Sequence, residues 1–189
     1  MGDPKFPRAK WSRPSHPWQA DRIKAENELI QKFGLKNKRE LWKAQSLMRR
    51  WRQRARILQA KVRYEDAQAE KEVRQLLQRL ARLGPLPPEG ATLDDVLALE
   101  VENLLGRRLQ TLVYLRGLGN TMRHARQLIV HGHISIGDRK VTIPGYLVKK
   151  DEEEDIKYHA HSALANEAHP ARPSLETLEG RRIATEGGD

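Results

Sequence analysis

Seven side chains able to bind anions, ligate metals or move protons crowd the stretch TMRHARQLIVHGHISIGDRKV, residues 121–141: Arg123, His124, Arg126, His131, His133, Arg139 and Lys140. An apolar core accounts for Leu128, Ile129, Val130, Ile134 and Ile136, but not for these. Guanidinium and ammonium groups hold phosphate or carboxylate oxygens, while imidazoles serve metals, proton transfer or hydrogen bonding. The HGH at 131–133 and the HAH at 159–161 have a spacing that can serve metals, yet neither has a cysteine or a carboxylate pair beside it. No metal or other cofactor is therefore assigned. KDEEED (150–155) lacks the alternating ligands and mid-loop glycine of a calcium loop and reads as a solvated acidic turn. There is no Walker-type loop, GxGxxG, HExxH or GxSxG, and GLGNT (117–121) follows no strand. With no catalytic constellation, the seven residues read as an anion-binding set rather than an active site.

Such a set needs elements to hold it. Residues 122–131 read as a helix capped by Thr121, with Gly132 ending it in a left-handed conformation. HISIGDRKVTI alternates around a Gly-Asp turn, the pattern of a hairpin, and GYLVKK (145–150) is expected to start a third strand. The preceding helix, 107–116, offers Leu109, Leu112, Val113 and Leu115 for packing. The expected unit is α+β: two helices on a small, mostly antiparallel sheet. The helix at 122–131 turns Ala125, Leu128 and Ile129 inward and Arg123, Arg126 and Gln127 outward, with His124 on a flank. Arg107, Arg108 and Arg116 join from the first helix, and Arg139 and Lys140 from the hairpin. Thr121 and free N–H groups at the helix start add an anion site.

The N-terminal half is helical and basic. A helix is expected over 21–33, with Asp21 as its cap and Gly34 past its end. In the next segment Leu41, Leu47, Met48, Trp51, Ala55, Leu58 and Val62 make one apolar stripe. Lys36, Lys38, Arg39, Arg49, Arg50, Arg52, Arg54 and Arg56 surround it, with no acid between Glu40 and Glu65. An ordinary solvated face mixes its signs, so this one reads as a phosphate contact. Residues 65–83 form a further helix on Val73, Leu76, Leu77, Leu80 and Leu83; GPLPPEG stops it, and 92–105 restarts as one helix capped by Thr92 or Asp94. Before all of these, residues 1–20 carry Pro4, Pro7, Pro14 and Pro17 among Lys5, Arg8, Lys10, Arg13, Phe6, Trp11 and Trp18. This segment is either a disordered basic tail or an extended arm that orders on RNA, its aromatics stacking on bases.

The charge is laid out in blocks. Residues 1–63 hold 18 Lys/Arg against 5 Asp/Glu and residues 101–150 hold 9 against 2, whereas 64–100 and 151–189 are net acidic. The whole 189-residue chain carries 35 Lys/Arg against 25 Asp/Glu, and a basic field in blocks attracts a long polyanion. The absence of cysteine excludes disulfides, cysteine nucleophiles and cysteine metal sites. No apolar run approaches the ~18 residues of a membrane span. MGDPKFPRAKW holds no apolar signal core, and Phe6 stands where myristoylation wants Ser or Thr, so a soluble intracellular protein is expected. A basic surface about the width of an A-form groove suits structured RNA, read by backbone shape.

At residues 107–148, RRLQTLVYLRGLGNTMRHARQLIVHGHISIGDRKVTIPGYLV, the chain resembles the small RNA-binding domain first described in the fourth protein of the small ribosomal subunit. RPSHPW and KAENELIQKFGLKNKRELWKAQSLMRRWRQRARIL are similar to the archaeal and eukaryotic form of that family, and together the resemblance covers roughly residues 5–165. It implies a primary binder of small-subunit rRNA at a multi-helix junction of the 5′ domain, which nucleates assembly of the subunit body. It further implies contact with a neighbouring small-subunit protein, an influence on decoding accuracy, and a position near the path by which mRNA enters. Carried onto this chain, the RNA-facing positions are Arg107, Arg108, Gln110, Arg116, Thr121, Arg123, His124, Arg126, Gln127, His131, His133, Arg139 and Lys140. His131 and His133 either touch RNA or cap the helix. Gly145 stands where bacterial members commonly have serine, and the zinc site of some bacterial members has no cysteines to form it here. The expected organisation is an extended basic arm (1–20), a helical rRNA-binding region (21–91), the small domain (92–165) and an acidic flexible tail (166–189). Two other readings, a modifying enzyme carrying the same small domain and a standalone RNA chaperone, fit less well. The first needs a catalytic domain of ~150 residues beside it, and the second does not need the matching N-terminal half.

Overall fold

The computed structural model describes residues 9–64, 66–166 and 169–173; the first eight residues of the basic arm and residues 174–189 of the tail lie outside them. Helix α1 (Ala20–Lys32) starts one residue earlier than its sequence signal, so Asp21 sits in the first turn rather than at the cap. It stops where Gly34 takes φ +57°. Asn37 then opens α2 (Lys38–Arg63) by accepting the Glu40 N–H at 3.2 Å, which satisfies one of the donors a helix start leaves free. Leu41, Ala44, Met48, Trp51, Ala55 and Leu58 form its buried stripe, while Val62 at its end is exposed. Asp66 caps α3 (Ala67–Leu83), which folds back on α2 and buries Ala69, Leu76 and Leu80.

The single helix expected over 92–105 is two: α4 (Leu93–Ala98) and α5 (Val101–Gly106). Thr92 and Asp95 cap α4 reciprocally. The break has a local cause, because Asn103 Oδ1 accepts the Glu100 N–H at 3.1 Å and starts a new helix there. It also has a tertiary one, since Leu99 turns its side chain into the core and its carbonyl to Arg52. Val96, Leu99, Leu104 and Leu105 share one apolar cluster with α1, α2 and α3.

The second cluster belongs to α6 (Leu109–Leu115), α7 (Met122–Val130) and a sheet of three antiparallel strands in the order β2-β1-β3. Strand β1 (Ile134–Ile136) pairs with β2 (Arg139–Lys140) across the Gly137-Asp138 turn, with Ser135 opposite Lys140. Its other edge takes β3 (Ile156–Tyr158), with Ile134 opposite Tyr158. This corrects the sequence expectation of a third strand at 145–150. That segment pairs instead with the chain leading into α6: the Leu109 N–H donates to Tyr146 O at 2.8 Å and the Val148 N–H to Arg107 O at 3.1 Å. The acidic run that follows winds into the short helix α8 (Lys150–Glu153). Leu115 and Val130, both expected to pack, are more than half exposed because Leu109, Leu112, Val113, Leu128 and Ile129 already fill this small core. The mixed α+β class read from the sequence holds. The described start of the segment expected to be a flexible tail folds back: Arg172 donates to Leu164 O at 2.8 Å and lies 4.7 Å over the Tyr158 ring.

Candidate nucleic-acid interface

Helix α7 buries Ala125, Leu128 and Ile129 at 3.6-residue spacing, which fixes its opposite face outward. Arg123, Gln127 and His131 are exposed there, and Arg126 is half-buried. Against this face lies the loop between α1 and α2. Lys36, Arg123, Arg126, Gln127 and His131 line one open cleft over Gly34 and Leu35. Cations that are 87 residues apart in sequence thereby present one anion-binding surface. The start of α7 is less open than expected. Thr121 Oγ1 accepts the His124 N–H at 3.1 Å, and His124 Nδ1 accepts the Asn120 N–H at 3.0 Å, so both side chains cap the helix start while Thr121 stays exposed.

Four residues expected to face RNA are engaged between the two apolar cores. Gln110 is fully buried; its Nε2 donates to Gly34 O and Met122 O, both at 2.9 Å, and lies 3.4 Å from Phe33 O. Arg108 is 8% exposed and pairs with Glu40 at 2.7 Å. Arg126 reaches the other oxygen of Glu40 at 2.5 Å and Gln110 Oε1 at 3.3 Å. Arg107 pairs with Glu153 at 2.7 Å and donates from Nε to Leu83 O at 2.9 Å. The cause is shared: these side chains sit where the chain passes from the first core into the second, so carbonyls and carboxylates there take up donors from each of them.

The other candidates remain at the surface. Arg116 is exposed and donates to Glu154 O at 2.9 Å. Arg139 and Lys140 are exposed on β2; Arg139 lies 5.8 Å over the Tyr146 ring, and the Lys140 stem covers Gly132 so closely that a Cβ there would fall 2.0 Å from Cε. His131 and His133 stack at 6.4 Å. The His131 backbone N–H, not its ring, closes α7 on Gln127 O. The His133 ring is held by Ser162 Oγ at 2.8 Å; partial burial, with the positive surroundings of His131 and Lys140, pushes its pKa below the usual imidazole value. Among the described residues no group of three or more His, Asp or Glu could hold a metal ion.

Along α2, Arg49, Arg50, Arg54 and Arg56 are exposed. Arg49 donates to Ser12 Oγ at 3.1 Å, and Arg54 makes a long pair with Glu72 at 3.4 Å. Arg52 is the exception, turned inward onto the Leu99 carbonyl. Lys38 pairs with the buried Glu26 at 3.2 Å, and Arg39 lies 5.7 Å over the Trp11 ring. Trp11 also packs on Trp42 at 5.5 Å, so the described part of the basic arm lies along α2, with Trp18 fully outward.

Residues 107–154 match the family model described as S4 domain, which starts at the arginine pair leading into α6 and runs through α8. The chain is 54% identical over 175 residues to small ribosomal subunit protein uS4 of Picrophilus torridus, covering 93% of this chain and 95% of the relative. It is 47% identical to that of Thermoplasma acidophilum over 100% of this chain and 98% of the relative, and 56% identical to that of Hyperthermus butylicus over 87% and 92%. The chain belongs to the uS4 family. Its members are ribosomal proteins and not enzymes, and the archaeal relatives agree with the archaeal type of the N-terminal half.

Within this uS4 chain, the residue that sequence reasoning missed is Glu40. Burial alone would raise its pKa; the hydrogen bond from Arg126 and the charges of Arg108 and Arg126 outweigh that and hold it below the usual carboxylate range. The signal is its isolation, as the last acid before a long run whose charged residues are all basic. Glu26, 3% exposed and held by Arg22, Lys38 and Trp42, is a second one that sequence reasoning missed, because two of its partners lie on another helix.

Proposed function

We propose that this protein is a structural component of the small ribosomal subunit that binds its rRNA directly, in the cytoplasm, with no chemical step. The cleft where Lys36 meets Arg123, Gln127 and His131 carries the reading, because it joins the loop before α2 to α7 in one cationic surface with no acid exposed in it. Further exposed cations stand at Arg50 and Arg56 on α2, at Arg39 and Arg49 beside the arm, and at Arg116, Arg139 and Lys140 on the small domain. Cations at several depths on rigid elements suit the backbone of a folded RNA, where shape is read rather than base edges in a narrow groove. Gln110, Arg107 and Arg108 hold the two cores together instead of touching RNA, and Thr121 and His124 set the start of α7.

The finer reading rests on the family resemblance: a site at a multi-helix junction of the 5′ domain, nucleation of the subunit body, and contact with a neighbouring small-subunit protein through which decoding accuracy is influenced, near the path of mRNA. Basic blocks on two apolar cores are compatible with it. No described helix is long and apolar enough to cross a membrane. Salt dependence tests the binding mode. With ~6–10 phosphate contacts, affinity for the rRNA should fall by about 10³–10⁵ between 50 and 200 mM salt, taking duplex DNA as the guide. An affinity indifferent to salt would remove the phosphate-binding reading.

A further inference from the structure

We propose that Glu40, an acid held between Arg108 and Arg126 beside the cationic cleft, is a positioning residue for RNA recognition: it clamps the two arginines so that the α1–α2 loop and α7 present their cations at one fixed spacing. This rests on the rRNA-binding reading above. One carboxylate takes Arg108 at 2.7 Å and both terminal nitrogens of Arg126, at 2.5 and 3.2 Å. Arg126 also meets Gln110, which binds Gly34 and Met122, so a connected set of side chains ties residues 33–40 to α6 and α7. On either side of this set stand Lys36 and Arg123, the exposed cations of the cleft.

The physical argument turns on what Glu40 costs. A carboxylate at a polyanion site repels the ligand, and it also neutralises Arg126, which would otherwise be free to meet phosphate. Partly buried ion pairs add little net stability over apolar packing, and their best-attested use is to fix one arrangement among several. Here the arrangement is the distance between two sets of phosphate-binding groups that belong to different apolar cores. Fixing it before binding spares the RNA the cost of ordering it.

The test is Glu40→Gln, measured against a small-subunit rRNA 5′-domain transcript and against unstructured poly(U). The variant loses one negative charge. Binding to poly(U) should stay equal or tighten, while binding to the transcript should weaken about tenfold, the order expected when two long side chains must be immobilised anew. Arg126→Gln completes a cycle: if Glu40 acts through Arg126, the double variant should lose no more specificity than the worse single one. Glu40→Asp, which keeps the charge on a shorter reach, serves if Glu40→Gln fails to fold, with an intermediate loss of specificity expected. An unchanged ratio of transcript to poly(U) affinity overturns the proposal. Equal loss on both RNAs also overturns it, by making Glu40 a residue of general stability. If the wild-type protein itself does not prefer the transcript, the rRNA reading fails and not merely the role of Glu40.

Discussion

Replacing Gln110 with methionine separates a structural joint from an RNA contact. The side chain is fully buried, with Nε2 at 2.9 Å from two carbonyls, Gly34 O on the N-terminal core and Met122 O on α7. Its Oε1 accepts from Arg126 at 3.3 Å. Methionine fills nearly the same volume, so the cavity cost is small and the lost hydrogen bonds dominate. Two carbonyls and one guanidinium N–H lose a partner, each costing about 1 kcal/mol or somewhat more when no water replaces it. The sum is about 2–4 kcal/mol, which for a chain of this length corresponds to a Tm drop of about 4–16 °C. Thermal and urea unfolding of the free protein measure it, with rRNA affinity measured well below the lowered Tm. The expected result is a large loss of stability, with any loss of affinity at low temperature no greater than the tenfold expected of Glu40→Gln, because Gln110 belongs to the same connected set. A loss of affinity with stability unchanged would mean that Gln110 reads RNA directly, as its sequence position implies, and the joint would have to be assigned elsewhere.

Arg123→Ala should weaken rRNA binding while leaving the fold intact, because this side chain is exposed on α7; circular dichroism and a binding isotherm check both halves. Arg126→Ala should differ by also lowering stability, since it strips a partner from Glu40; equal unfolding midpoints for the two variants would contradict this. Gly34→Ala should cost about 2–4 kcal/mol, combining a left-handed φ of +57° with a Cβ that would lie 2.6 Å from Met122 Cβ, and a midpoint shift under ~1 kcal/mol would show that the loop yields freely. Acid should loosen the N-terminal core. Glu26 and Glu40 are both held below the usual carboxylate range, so their contribution is present above the unfolded value near ~4.3 and is lost as pH falls through their folded values. Glu40→Gln should flatten part of that loss in an acid unfolding titration.

Local signals were legible wherever a residue's role is decided by its neighbours in sequence. Thr92 and Thr121 are followed by helices, Gly132 follows one, and the Gly137-Asp138 turn joins two paired strands. The buried stripe of α2 could be read from its period alone. What stayed hidden depends on distant partners. Nothing near Leu99 announces that Arg52 claims its carbonyl, or near Tyr146 that Leu109 claims its own, and these distant partners help divide 92–105 into two helices and keep 145–150 out of the sheet. The same limit governs the site. An arginine facing RNA and an arginine facing Glu40 look alike in sequence, and only the fold separates Arg123 from Arg108. The zone most dense in bases therefore holds both the candidate interface and the joint that shapes it.

The most direct measurement is hydroxyl-radical footprinting of the purified protein on naked small-subunit rRNA at physiological salt. Protection concentrated at one multi-helix junction of the 5′ domain, and reduced there by Arg123→Ala, is the result expected of a primary rRNA binder that uses the α7 cleft. Protection scattered along the RNA, or appearing only when other ribosomal proteins are present, would contradict it.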